Sequence, residues 1–198
     1  MDEDNLPGMG AIISPEGVGF RVWAPHASSV AVLGEFNDWH QDADLMERDD
    51  AGYWYAFVPG AAVGQKYKFW LTNGDDSFAR RDPYASEVTN SVGDSIIYDH
   101  GAFDWEDTEH HCPPFHELVI YELHVGSFNK DDGSVGTLYD VIDRFQHIQD
   151  LGANAIQIMP VAEFAGDVSW GYNPADPFAV ESAYGGPDAL KTLVREAH

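Results

Sequence analysis

The chain has 198 residues, with 34 acidic side chains against 10 basic ones and a formal net charge of −24. That balance excludes nucleic acid and anionic membrane surfaces as partners, because a phosphate-binding surface needs clustered Lys and Arg. An apolar share of 44% with 13% aromatics is ample for a packed core, and a neutral, hydroxyl-rich partner remains allowed.

The first segment, residues 10–98, is punctuated by turns and rich in short β patterns. Gly19–Trp23 alternates, and Ser29–Gly34 follows a break at Pro25. Tyr53–Val58 and Gln65–Leu71 are aromatic and β-branched runs set between Gly, Pro, Asn and Asp. No stretch between them shows a helical apolar period, so the segment is expected to be an all-β, immunoglobulin-like antiparallel sandwich. Residues 99–116 read as a linker, with a diproline at Pro113-Pro114. His110, His111 and Cys112 are zinc-type ligands, but adjacent side chains seldom converge on one ion and no CxxC or HxxxH spacing is present. No metal and no cofactor are expected.

From residue 117 the period changes. Leu118–Val125 is a mostly apolar strand, and Thr137 caps a helix carrying Leu138, Val141, Ile142, Phe145, Ile148 and Leu151 on one stripe. Gly152 stops that helix, and Ala155–Met159 is a second buried strand ended by Pro160. After a long loop, Pro187 opens a helix through Leu190, Leu193 and Val194. Strand–helix–strand–helix is the opening of a parallel α/β fold, and a (β/α)₈ barrel needs about 250 residues. Two such units cannot cover both faces of their strands, so residues 117–198 are expected to be the start of a barrel in a longer protein. Cys112 has no partner for an internal disulfide, the acidic start is unlike a secretory signal, and no apolar run approaches the roughly 20 residues that cross a bilayer. A soluble, cytoplasmic protein is expected.

Several motifs carry a resemblance. Gly34-Glu35-Phe36-Asn37-Asp38-Trp39, followed by Gly64–Phe69, resembles the family 48 carbohydrate-binding module, a β-sandwich that precedes the barrel in α-glucan enzymes. Tyr121–Phe128 and Leu151–Pro160 resemble the first two barrel strands of glycoside hydrolase family 13, the α-amylase family. Ser169–Pro174 and Ala183–Pro187 match the loop that follows. Within that family the glycogen branching enzymes and the malto-oligosyltrehalose trehalohydrolases fit best, the module signature leaning to the former. The resemblance implies an α-1,4-glucan partner and a retaining mechanism, which needs two carboxyl groups about 5–5.5 Å apart. By the same resemblance none of the catalytic carboxylates lies in residues 1–198, so this stretch alone is expected to be inactive.

Binding residues remain. By resemblance Tyr172 stacks under the sugar being cleaved, the alternative being an aromatic that merely packs against the barrel rim. Trp170 is a second substrate-binding candidate, the alternative being that it anchors the loop itself. Trp39 and Lys68 fall where starch-binding modules place a stacking ring and a hydroxyl-binding ammonium. Phe78 stands where a second Trp is common, and core packing or a domain interface is the alternative for Trp39. Glu122 and His124 share one face of their strand and read as a hydrogen-bonded pair in the barrel interior, with proton shuttling as the sharper possibility. Asn129–Ser134 hints at a calcium loop without its terminal Glu, and Tyr184–Pro187 at a phosphate cradle without the following Lys-Ser/Thr, so turns suffice for both.

Overall fold

The computed structural model describes residues 8–106, 109–130, 133–166 and 168–198. The chain divides into two compact units, Met1–Asp99 and His100–His198.

The first unit runs β1 (Gly10–Ser14), β2 (Gly17–Trp23), β3 (Ser29–Gly34), β4 (Asp44–Leu45), β5 (Glu47–Arg48), β6 (Tyr53–Pro59), β7 (Lys66–Asn73), β8 (Asp76–Arg80), β9 (Glu87–Val88) and β10 (Ser95–Ile96). These strands form two antiparallel sheets, ordered β1-β2-β6-β5 and β4-β3-β7-β10-β9, with β8 also paired to β7. Between the sheets, Val18, Phe20, Val22, Trp54 and Val58 meet Val30, Val32, Tyr67 and Phe69. The alternation read from the sequence accounts for this: in β7, Tyr67 and Phe69 are buried while Lys66, Lys68 and Trp70 turn outward. The unit is an immunoglobulin-like β-sandwich, as the pattern predicts.

One polar group sits inside it. Asp82 is fully buried and accepts hydrogen bonds from the Tyr67 hydroxyl at 2.6 Å and the Tyr84 amide at 2.8 Å. Burial pushes its carboxyl up to about 6, although those two hydrogen bonds favour the charged form. Burial, and then the neighbouring Asp82, raise the Tyr67 phenol well above its ordinary value.

In the second unit β11 (Ile120–Leu123) is joined through α1 (Leu138–Ile142) and α2 (Phe145–Asp150) to β12 (Ala155–Ile158), which pairs with it in parallel. The continuous helix expected over 138–151 is two short ones. Arg144 leaves the helical region (φ −110, ψ 7) and its guanidinium bonds the Asn129 side chain, which turns the chain between them. Leu151, expected on the apolar stripe, is exposed because it is already the cap residue of α2. Gly152 then takes the left-handed conformation (φ 85), with its amide on the Gln149 carbonyl and that of Ala153 on Ile148. This closes the helix as a Schellman motif.

The long loop expected after β12 contains a hairpin, β13 (Ala162–Phe164) against β14 (Pro174–Val180), before α3 (Gly186–Ala197), which has Pro187 in its first turn. The hairpin register is irregular, and buried carboxylates supply the missing partners. Glu181 accepts the amides of Phe164 and Ala183, and Glu163 accepts that of Ser182. Burial raises the Glu163 carboxyl, and the charges of Glu181 and Asp176 add to it. The apolar side chains Leu123, Leu138, Val141, Ile148, Phe164 and Leu193 gather into this unit's core. Within residues 99–116, the His100 and Asp104 carbonyls accept from Lys191 and Arg195 of α3, with the Phe103 ring 5.5 Å from each cation. Among the described residues no helix is long and apolar enough to cross a membrane.

Candidate functional site

Each residue of the Gly34–Trp39 stretch has a distinct task. The Glu35 carboxylate accepts the Lys66 amide at 2.9 Å, and the Phe36 ring packs on Phe20, centroids 5.4 Å apart. The Asn37 side chain is the hub: it accepts from the Gly34 amide and donates to the Val32 carbonyl and the Asp44 carboxylate. Asp38 and Trp39 are both left-handed, with φ 52 and 60. Consecutive left-handed residues other than Gly store strain, and such strain is typical of functional positions. The Trp39 amide bonds the Gly34 carbonyl, and Gly34 lies opposite Tyr67 on β7, one residue from Lys68. Trp39 and Lys68 therefore lie at one end of the same sheet. Trp39 is half-buried, and the Lys68 ammonium is 2.8 Å from the Asp94 carboxylate.

Phe78 is not brought to them. It faces Leu71 across the β7–β8 ladder, on the side of Phe69, whereas Lys68 and Trp70 occupy the other side. The Arg80 guanidinium covers its ring at 4.3 Å.

In the second unit Trp170 and Tyr172 lie beyond β12, in the connection between β13 and β14, whose backbone is pinned while both residues are exposed, 73% and 71%. Gly171 has φ 84, and a Cβ there would come within 2.0 Å of the Pro160 carbonyl oxygen, so only Gly lets the loop lie on the end of β12. The Ser169 hydroxyl accepts the Gly171 amide at 3.1 Å and bonds the Asn173 side chain. Neither ring packs into the core.

Glu122 and His124, expected as a pair, take different partners. Alternate residues of a strand stand roughly 6.5 Å apart along the chain, beyond hydrogen-bond reach. Glu122 accepts from the Gln157 side-chain nitrogen at 2.8 Å, while His124 contacts Ser127, Ser169 and Tyr184. Burial, with the Glu181 charge added, raises the Tyr184 phenol, and the Gly126 amide opposes this. Ser127 and Tyr184 stand within the motifs Tyr121–Phe128 and Ala183–Pro187, but nothing in the sequence ties them to His124, Tyr184 being 60 residues away.

The remaining motifs are occupied by structural bonds. Lys130 pairs with Asp140 at 3.0 Å, while Asp131 and Asp132 of the calcium-like stretch lie outside the described residues. Gly185 turns the chain tightly into α3, where a Cβ would meet Ala189 at 2.8 Å. The His110 and His198 rings stack at 4.0 Å, and Cys112 is exposed. Among the described residues no group of three His, Cys, Asp or Glu side chains is arranged to hold a metal ion.

Comparison with known proteins gives the arrangement a context. Residues 8–85 match carbohydrate-binding module 48 (isoamylase N-terminal domain), and residues 91–198 match the alpha amylase catalytic domain. The 1,4-alpha-glucan branching enzyme GlgB of Pseudoalteromonas atlantica is 34% identical over 90% of this chain and 26% of its own length. The malto-oligosyltrehalose trehalohydrolase of Saccharolobus solfataricus is 35% identical over 94% of this chain and 31% of its own. A crystal structure of a candidate alpha amylase from Salmonella typhimurium superposes with a TM-score of 0.85 at 30% identity, covering 98% of this chain and 32% of that one. The chain thus spans between a quarter and a third of the length of these proteins.

Proposed function

The chain belongs to the alpha amylase catalytic-domain family, and from that premise we propose that it is the N-terminal part of an α-glucan-active retaining enzyme, a 1,4-α-glucan branching enzyme. In this reading residues 117–198 begin a (β/α)₈ barrel, and the rest of it supplies the carboxylate nucleophile and the general acid. The observation that carries the reading is the loop after β12: a backbone pinned at Gly171 that holds two aromatic rings out in solvent at the C-terminal end of a parallel strand. Barrels of this class build their sites at that end, and an exposed flat ring suits the C–H face of a pyranose. Tyr172 is the sugar platform and Trp170 its neighbour.

The sandwich is an accessory glucan site with Trp39 and Lys68 as its contacts. Replacing Trp39 by Ala is expected to weaken maltoheptaose binding by about 1–3 kcal/mol, the scale of one stacked aromatic. Phe78, on the other face of its sheet, contributes through its packing with Arg80. The partner is a neutral α-1,4-glucan, which suits a chain of this negative charge, and the protein works in the cytoplasm.

The whole protein tests the reading with amylose as substrate. A branching enzyme lowers the iodine-complex absorbance without releasing reducing ends. Release of trehalose from a malto-oligosyltrehalose would assign the second activity found among the relatives. Reducing ends released in step with the fall in absorbance would overturn the branching assignment in favour of hydrolysis. Residues 1–198 alone are expected to bind glucan without turning it over.

A further inference from the structure

We propose that His124 is a positioning residue: its imidazole fixes, through the Ser169 carbonyl, the loop that presents Trp170 and Tyr172, and so sets glucan affinity there. The affinity part rests on the reading of Tyr172 as a sugar platform; the positioning part does not.

His124 directly follows β11, and its Nε2 lies 2.8 Å from the Ser169 carbonyl oxygen. A carbonyl only accepts, so Nε2 carries the hydrogen. Nδ1, 2.9 Å from Ser127 Oγ, is then free to accept from that hydroxyl. The Tyr184 oxygen stands 3.1 Å from the same Nε2. Its ring is fully buried, edge-on to both Phe164 and His124, and so walls the imidazole from the core side. Both ring nitrogens of His124 are thus committed to holding structure. A proton shuttle to substrate would require release of the Ser169 carbonyl, and Glu122 is engaged by Gln157. Positioning, not proton transfer, is what this geometry supports.

The anchored carbonyl matters because of its place in the loop. Ser169 immediately precedes Trp170, and its hydroxyl braces Gly171 and Asn173 on either side of Tyr172. Gly171 is pressed on the Pro160 carbonyl at the end of β12. Besides the β13–β14 hairpin that holds its two ends, the loop therefore has two supports, one at the end of each parallel strand: His124 after β11 and Pro160 after β12. Trp170 and Tyr172, exposed and outside the core cluster, take their positions from this backbone. Removing the His124 support leaves the loop hinged at Gly171.

The test uses the 198-residue chain with His124→Ala, His124→Asn and His124→Gln, read by nitrogen–proton correlation spectra with and without maltoheptaose. A Gln amide nitrogen reaches the place of Nε2, whereas that of Asn reaches only the place of Nδ1. The expected result is that Gln retains the Gly171 amide and Trp170 indole signals. Ala and Asn should move or broaden them, and weaken maltoheptaose at the loop about tenfold, the scale of one lost anchoring hydrogen bond. Sandwich signals such as the Trp39 indole should stay in place in all variants, and core amides of the second unit such as that of Leu193 report its folding. Ser127→Ala provides a gentler probe if His124→Ala does not fold, with a smaller movement of the same signals expected. Unmoved Gly171 and Trp170 signals in the folded Ala variant (or in Ser127→Ala), or equal behaviour of Asn and Gln, would overturn the positioning role. If Tyr172→Ala leaves the maltoheptaose response of the loop intact while His124→Ala still displaces Gly171, the platform reading fails and the positioning stands.

Discussion

The two units bury their apolar residues in opposite ways. In the sandwich, alternating strands turn one face to the opposing sheet, and the cluster around Phe20, Tyr67 and Phe69 is closed on all sides. In the α/β unit, β11 and β12 form a sheet of two strands whose Tyr121, Leu123, Ile156 and Ile158 pack into the core, while Ile120, Glu122, Ala155 and Gln157 share the other face. Val119 and Ile120 remain 52% exposed, and an open groove of about 650 Å³ is lined by Leu118, Phe145, Ile156 and Leu193. A parallel sheet is ordinarily covered on both faces, whereas here the core cluster covers only one. Covering the other takes more neighbours than a lone parallel pair supplies.

The contrast can be broken most directly at Phe69. Phe69→Ala in the closed core should cost about 3–5 kcal/mol, whereas Ile156→Ala on the half-covered β12 should cost roughly a third of that. Urea unfolding followed through signals of each unit separates the two. Equal losses would mean that the parallel pair is as well packed as the sandwich.

Asp82 sharpens the comparison by pH. Its folded pKa of about 6 lies above the ordinary 3.8, so the stability it contributes is present below pH 4 and is lost as pH rises through 6. The advantage of the wild type over Asp82→Asn should shrink by about 3 kcal/mol between pH 4 and 6 and then level off. A pH-independent difference, measured by thermal melts of the sandwich, would remove the buried carboxyl as its cause. The α/β unit should not respond to this substitution.

Smaller effects fall on the ends of elements. Thr137 caps α1, exchanging hydrogen bonds with Asp140, and Thr137→Ala should destabilise the second unit by about 1 kcal/mol without touching the first. At Trp39, Gly should be more stable than Ala by up to about 1 kcal/mol, because only Gly relieves the left-handed backbone. Both variants should lose glucan affinity alike; if Gly and Ala are equally stable, the turn stores no strain.

The same contrast explains what could be read from the sequence. β2, β3, β6 and β7 were legible because alternation is local, and Thr137 and Gly152 because caps are local. The break at Arg144 was not, since it depends on Asn129, 15 residues earlier. The hairpin β13–β14 was hidden by its own chemistry: Pro174 and Pro177 look like loop residues, and Glu163, Asp176 and Glu181 look like surface. They are buried because carboxylates such as Glu163 and Glu181 take up backbone amides where the ladder is irregular. At the candidate site, Trp39, Lys68, Trp170 and Tyr172 were legible through motif resemblance. The orientation of Phe78 was not, because it follows from the β7–β8 register. Nor was the support of the loop by His124, whose partner Ser169 is 45 residues away.

Titration of the 198-residue chain with maltoheptaose, followed at the Trp39 and Trp170 indole signals, tests the central claim most directly. Two saturable responses are predicted, one in the sandwich and one in the loop after β12, abolished separately by Trp39→Ala and Tyr172→Ala. A chain that gives neither response at saturating glucan would contradict the assignment of both sites and the α-glucan reading that rests on them.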